Sequence, residues 1–212
     1  MTHRNLAVLL GGALLLAACA PTQMIGGANP YNAGLNPAQR LTVAQPAPAA
    51  ASLGLTLTSP SVANGTVLPA AQVGSGNGCT GGNLSPALSW SGAPAGTFSF
   101  ALTMYDPDAP TGSGFWHWAA FNLPASTTSL PEGASSAGGL PAGTTQLNND
   151  GGTPGYTGAC PPPGDQAHRY VITLYALNTT LDLPAETRPA VLGFMLNGKV
   201  LAKTSLTAYY SR

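Results

Sequence analysis

Two segments about fifty residues apart carry the side chains in this sequence that could do chemistry. The first reads Asp106-Pro-Asp-Ala-Pro110 and continues to Trp116-His117-Trp118. The second reads Cys160-Pro-Pro-Pro-Gly-Asp165 and continues to His168-Arg169-Tyr170. Only 7% of the chain is charged, yet these stretches hold two of its three histidines and three of its seven acids. Charge is costly to place unless it is solvated or paired. Collecting it around prolines points to a polar pocket with rigid walls. Two other chemistries use the same residue types. His117, His168 and Asp106 could hold Zn²⁺ or Fe²⁺. A serine such as Ser85 or Ser113 could join a histidine and an aspartate in a hydrolase. Against the hydrolase, the chain has no Gly-x-Ser-x-Gly elbow, and Gly112-Ser-Gly114 reads as a loop tripeptide.

The elements that must position these groups are strands. Phe98–Tyr105 is rich in aromatic and apolar residues, and Asp106 and Asp108 follow directly on it. Pro107 and Pro110 each fix their own φ and restrict the residue before them. Trp116–Leu123 is a second strand. Strict alternation there turns His117 away from both flanking tryptophans. Tyr170–Leu177 is almost continuously apolar, as a central strand would be. His168 opens that strand and shares a face with Tyr170. Leu53, Leu55 and Leu57 alternate with small or polar residues, Leu88–Trp90 is a short strand, and Thr204–Tyr210 is the last. Asn64-Gly65 is a turn signal. One helix is expected at Pro189–Leu196, opened by Arg188-Pro189 and closed by Asn197-Gly198. The expectation is a mostly-β domain over residues 53–212 with one or two short helices.

Composition sets the remaining bounds. With 212 residues and 44% apolar content the chain can bury a substantial core. Its 27 glycines and 20 prolines favour strands and turns over long helices. Formal net charge is zero and no basic run occurs, which argues against nucleic-acid binding. Residues 1–18 read as a signal segment: His3 and Arg4 are positive, and Leu6–Leu16 is apolar but too short to span a bilayer. Leu16-Ala17-Ala18-Cys19 resembles a bacterial lipobox, in which Cys19 is diacylated and becomes the mature N-terminus. The protein then leaves the cytoplasm. With Ala20 next to the lipidated cysteine, enterobacterial-type sorting implies the outer membrane, facing the periplasm. Residues 19–52 have no hydrophobic period and read as a tether with an end-to-end distance of roughly 30 Å. Cys79 and Cys160 remain, an even pair in an oxidising compartment, and a disulfide between them is expected.

Taken jointly, the two segments resemble the phosphatidylethanolamine-binding protein family, in its bacterial Raf-kinase-inhibitor-like branch. The resemblance extends through Gly78-Cys-Thr-Gly-Gly-Asn-Leu-Ser-Pro86, Leu88-Ser-Trp90 and Gly155-Tyr156, and it covers the chain from Leu53 to Arg212. It implies a large antiparallel sheet packed on a smaller one, with short helices near the C-terminus. It implies a binding module, or an inhibitor of kinases or proteases with an unidentified protein partner, in place of an enzyme, and it calls for no cofactor. Carried over by motif position, the ligand-binding residues are Asp106, Asp108, Ala109, Pro110, His117, Pro161, His168 and Tyr170. The implied ligand is phosphate or a phospholipid head group. Imidazole can donate to phosphate oxygens, and aspartate can orient a histidine or accept from an ammonium group. The sequence departs from the family at Gly198-Lys199, where members often read Gly-His.

Overall fold

The structure, a computed structural model, describes residues 54–136 and 138–212. The expected signal segment (1–18), Cys19 and the 19–52 tether lie outside the described residues. Eight strands are described: β1 (Thr56–Thr58), β2 (Leu88–Ser91), β3 (Ser99–Asp106), β4 (Phe115–Pro124), β5 (Ser129–Leu130), β6 (Thr145–Gln146), β7 (His168–Leu177) and β8 (Val200–Tyr210). The helix α1 spans Pro189–Met195. The strands form two antiparallel sheets, one ordered β1-β2-β5 and the other β6-β4-β3-β7-β8. This is the larger-on-smaller arrangement that the resemblance implied.

The larger sheet is covered on both faces, which explains its apolar strands. Every residue of β3 is buried. Phe100, Leu102 and Met104 face the smaller sheet and share a core with Leu88, Trp90 and Leu130. Trp90 meets Phe100 edge-on with ring centroids 5.5 Å apart. On the opposite face Ala101, Phe121 and Leu177 pack against Leu181, Leu192 and Leu196. A strand buried on both sides cannot alternate apolar with polar residues. Pro189 sits at the first turn of α1, where its missing N–H costs nothing, and Leu192 is on the helix's buried face. The β8 edge is covered by residues 65–68, since Leu68 N–H donates to Tyr209 O and Tyr209 N–H to Thr66 O. That contact blunts an edge that would otherwise invite pairing with another chain.

Antiparallel pairing also brings the two motif segments together. Asp106 at the end of β3 pairs with Phe115 at the start of β4, and Tyr105 pairs with Val171 near the start of β7. Both segments therefore lie at one end of the larger sheet. Lys199 precedes β8, whose first pairing is with Leu177 at the far end of β7. The sequence departure there is remote from the motif segments.

Candidate functional site

His117 sits where β4 carries one residue more than β3. Met104 pairs with Trp118 and Tyr105 with Trp116, so His117 has no partner on β3. A bulge of this kind re-aims side chains and breaks strict alternation. Trp116 packs on Tyr105, with centroids 4.4 Å apart. His117 instead packs on Tyr170 at 5.2 Å, and Trp118 belongs to the same core cluster as Tyr170. The expectation that His117 turns away from both tryptophans therefore holds for Trp116 and fails for Trp118.

The imidazole of His117 is buried, and its Nδ1 lies 2.8 Å from Thr157 O. A carbonyl oxygen can only accept, so Nδ1 carries the proton and Nε2 is left for other partners. Burial holds the His117 pKa below the ordinary histidine range, and the Asp106 charge and the Thr157 hydrogen bond only partly offset it. The ring is neutral at pH 7.

His168 is in the opposite state. Its Nδ1 is 2.7 Å from Asp106 Oδ2 and its Nε2 is 3.2 Å from Asp165 Oδ2. Burial lowers the His168 pKa, but the two carboxylates, Asp106 foremost, outweigh it and raise the pKa above the ordinary value. Both ring nitrogens donate, and the ring is an imidazolium. Asp106 is almost fully buried, and its other oxygen accepts the Asp108 N–H at 2.8 Å. Tyr170 is fully buried, and its hydroxyl makes no hydrogen bond among the described residues. Burial and then the Asp106 charge push its pKa up, so it stays a phenol with a proton to donate.

These groups line a pocket of about 430 Å³. Asp106, Ala109, Pro110, His117, Pro161, His168 and Tyr170 all line it. Asp108 does not. Its carboxylate turns to Arg169, accepting from Nη2 at 2.7 Å, Nε at 2.8 Å and the backbone N–H at 2.9 Å. Two aspartates two residues apart thus do different work: Asp106 addresses the pocket histidine, and Asp108 anchors the loop to β7.

The far wall is backbone. Residues 73–74 run beside 158–159, with Gly74 N–H donating to Ala159 O. A Cβ on Gly158 would fall 2.4 Å from Gly74 N, so only glycine allows this approach. The Cys79–Cys160 disulfide is present, with Cα atoms 5.9 Å apart. Arg212 makes a second clamp between the same loops, donating from Nε to Pro161 O and from Nη2 to Asn77 O.

The expected residue set omits Asp165, Thr157 and Arg212. Asp165 had a signal, because it lies three residues before His168 within the quoted motif. Thr157 and Arg212 contribute a backbone carbonyl and a remote clamp, neither of which leaves a mark in sequence. The two alternative chemistries do not assemble. Both nitrogens of His168 are taken by carboxylates, and no metal-ligating cluster of three occurs among the described residues. Ser85 is buried with its Oγ accepting from Ser135 N–H, and neither Ser85 nor Ser113 lines the pocket.

A family profile described as phosphatidylethanolamine-binding protein matches residues 58–211. The chain belongs to the phosphatidylethanolamine-binding protein family. The match spans both sheets and every strand from Thr58 onward. The UPF0098 protein YbcL of Escherichia coli is 47% identical over 157 residues, covering 73% of this chain and 86% of that protein. The crystal structure of YbcL, described as a new member of the mammalian family, superposes with a TM-score of 0.72 over 75% of this chain and 99% of that one. LppC of Mycobacterium tuberculosis, whose name classes it with lipoproteins, is 38% identical over 143 residues, covering 68% of this chain and 65% of LppC.

Proposed function

We propose that the protein is a non-catalytic binding protein whose pocket takes a small oxyanion, as free phosphate or as the phosphate of a phospholipid head group. The observation that carries this reading is the unpartnered Tyr170 hydroxyl in a pocket that His117 and His168 also line. A buried hydroxyl without a partner costs about 1–3 kcal/mol, and an oxyanion would supply the acceptor. Among the described residues, the lining holds no nucleophile hydrogen-bonded to a base. His168 is committed to two carboxylates, and His117 Nδ1 is committed to Thr157.

Calorimetric titration with sulfate tests this, because sulfate keeps its charge across the working pH range. His117 is neutral in the free protein, so donating from Nε2 to sulfate requires uptake of a proton. Affinity should therefore rise as pH falls from 7.5 to 5.5 and weaken as pH rises. His168 faces the same pocket, and although burial lowers its pKa, Asp106 and Asp165 raise it above the ordinary value, so the pH slope is assigned by comparing wild type with His117→Ala. A charge-assisted hydrogen bond contributes about 1.5–3 kcal/mol, so His117→Ala should weaken binding about 10- to 150-fold and abolish the pH slope. Equal affinity in the variant would place any ligand elsewhere.

The reading includes a membrane anchor. Leu16-Ala17-Ala18-Cys19 supports lipidation of Cys19, and the related LppC is named a lipoprotein. The domain would then stand off a bacterial envelope membrane, with the outer membrane as the expected leaflet, on a tether of residues 19–52. Cys19→Ser should move the protein from the membrane to the soluble fraction or stall its processing. Normal cleavage and membrane fractionation of the variant would rule the anchor out.

A further inference from the structure

We propose that Asp165 sets the selectivity of the pocket by occupying the His168 N–H that an oxyanion needs, so that a ligand reaches this donor only by displacing the carboxylate. This rests on the oxyanion reading above.

An imidazolium has two donors. Both are taken in His168, by Asp106 at Nδ1 and by Asp165 at Nε2. The two arms are unequal. The Asp106 contact is 2.7 Å, within the range of strong charge-assisted bonds, and that carboxylate is 3% exposed. The Asp165 contact is 3.2 Å and its side chain is 31% exposed. Asp165 also rides on a loop, with its Oδ1 accepting from Gln166 N–H. The Asp165 arm is the one a ligand can open.

Competition from a tethered group is strong. Even a short flexible linker presents its group at roughly millimolar effective concentration. Two aspartates and one imidazolium also sum to a single negative charge, which opposes a bare dianion. A ligand that carries an ammonium beside its phosphate meets a different field. Its oxygens accept the Nε2–H hydrogen bond, and the displaced carboxylate accepts from the ammonium. Asp165 should therefore disfavour inorganic phosphate relative to a zwitterionic phosphoamine.

The test is calorimetric titration of wild type, Asp165→Asn and Asp165→Ala with inorganic phosphate and with phosphorylethanolamine at constant pH. The asparagine keeps the shape and the Gln166 contact, so at least one variant retains the loop. The expected result is a preference for phosphorylethanolamine in the wild type, and a fall of about tenfold or more in that ratio in both variants, driven by tighter phosphate binding. A wild type that binds, with a ratio unchanged in the variants or with weaker phosphate binding, overturns the role of Asp165 alone. Failure of all three proteins to bind either probe overturns the oxyanion reading and this one with it.

Discussion

Replacing Cys79 and Cys160 with serine should lower the stability of the folded domain by about 4.5 kcal/mol. The bridge joins residues 81 positions apart, and closing a loop of that length removes roughly this much conformational freedom from the unfolded chain. For a domain of this size the loss corresponds to a fall of about 10–18 °C in melting temperature. The folded pocket should persist, because Arg212 still joins Asn77 to Pro161 and Gly74 still pairs with Ala159. Denaturant unfolding of the double-serine variant measures the loss. Titration of the same protein with sulfate should show affinity within a few-fold of wild type. A loss under about 1 kcal/mol would mean that the unfolded chain is already constrained without the bridge.

The second large effect concerns Arg169. Its side chain is 11% exposed and that of its partner Asp108 is 5% exposed. Removing one side of a largely buried pair takes away the charge that balances the other and costs up to about 3–5 kcal/mol. Arg169→Met should therefore destabilise the domain by that amount, although the Arg169 backbone N–H continues to bond Asp108. Adding Asp108→Asn removes the carboxylate charge that the guanidinium balanced, so the double variant should be more stable than Arg169→Met alone. The difference between the two, read in one unfolding series, isolates the charge contribution. If both unfold at the same denaturant concentration, packing of the arginine stem, not its charge, is what matters. The consequence reaches the pocket, because Ala109 and Pro110 follow Asp108 and form part of its wall.

These effects separate what the sequence carried from what folding added. The long strands were legible because burial on two faces demands continuous apolar residues, as in Ser99–Asp106 and His168–Leu177. The helix was legible because Arg188-Pro189 and Asn197-Gly198 mark its ends within a residue of the observed Pro189–Met195. The disulfide was legible from the even pair of cysteines that remains beside Cys19 and from an expectation of export. The strands β5 and β6 were not, because two residues carry no period.

Within the pocket, residue types were legible and their assignments were not. The Asp106-Pro-Asp108 segment presents two identical carboxylates. Only the partners arriving on β7, about sixty residues later, send one to His168 and the other to Arg169. His117 carried no sign of its bulge, which is a mismatch between two strands and so belongs to neither sequence segment alone. The protonation states follow the same rule. His117 and His168 are the same residue type, yet one is neutral because burial outweighs the Asp106 charge and the Thr157 hydrogen bond, and the other is charged because two carboxylates close on both of its nitrogens. The sequence by itself determined which groups are present and that strands bring them to one end of a sheet. The tertiary structure alone decided which group faces which, because hydrogen bonds and burial depend on contacts between segments far apart in the chain.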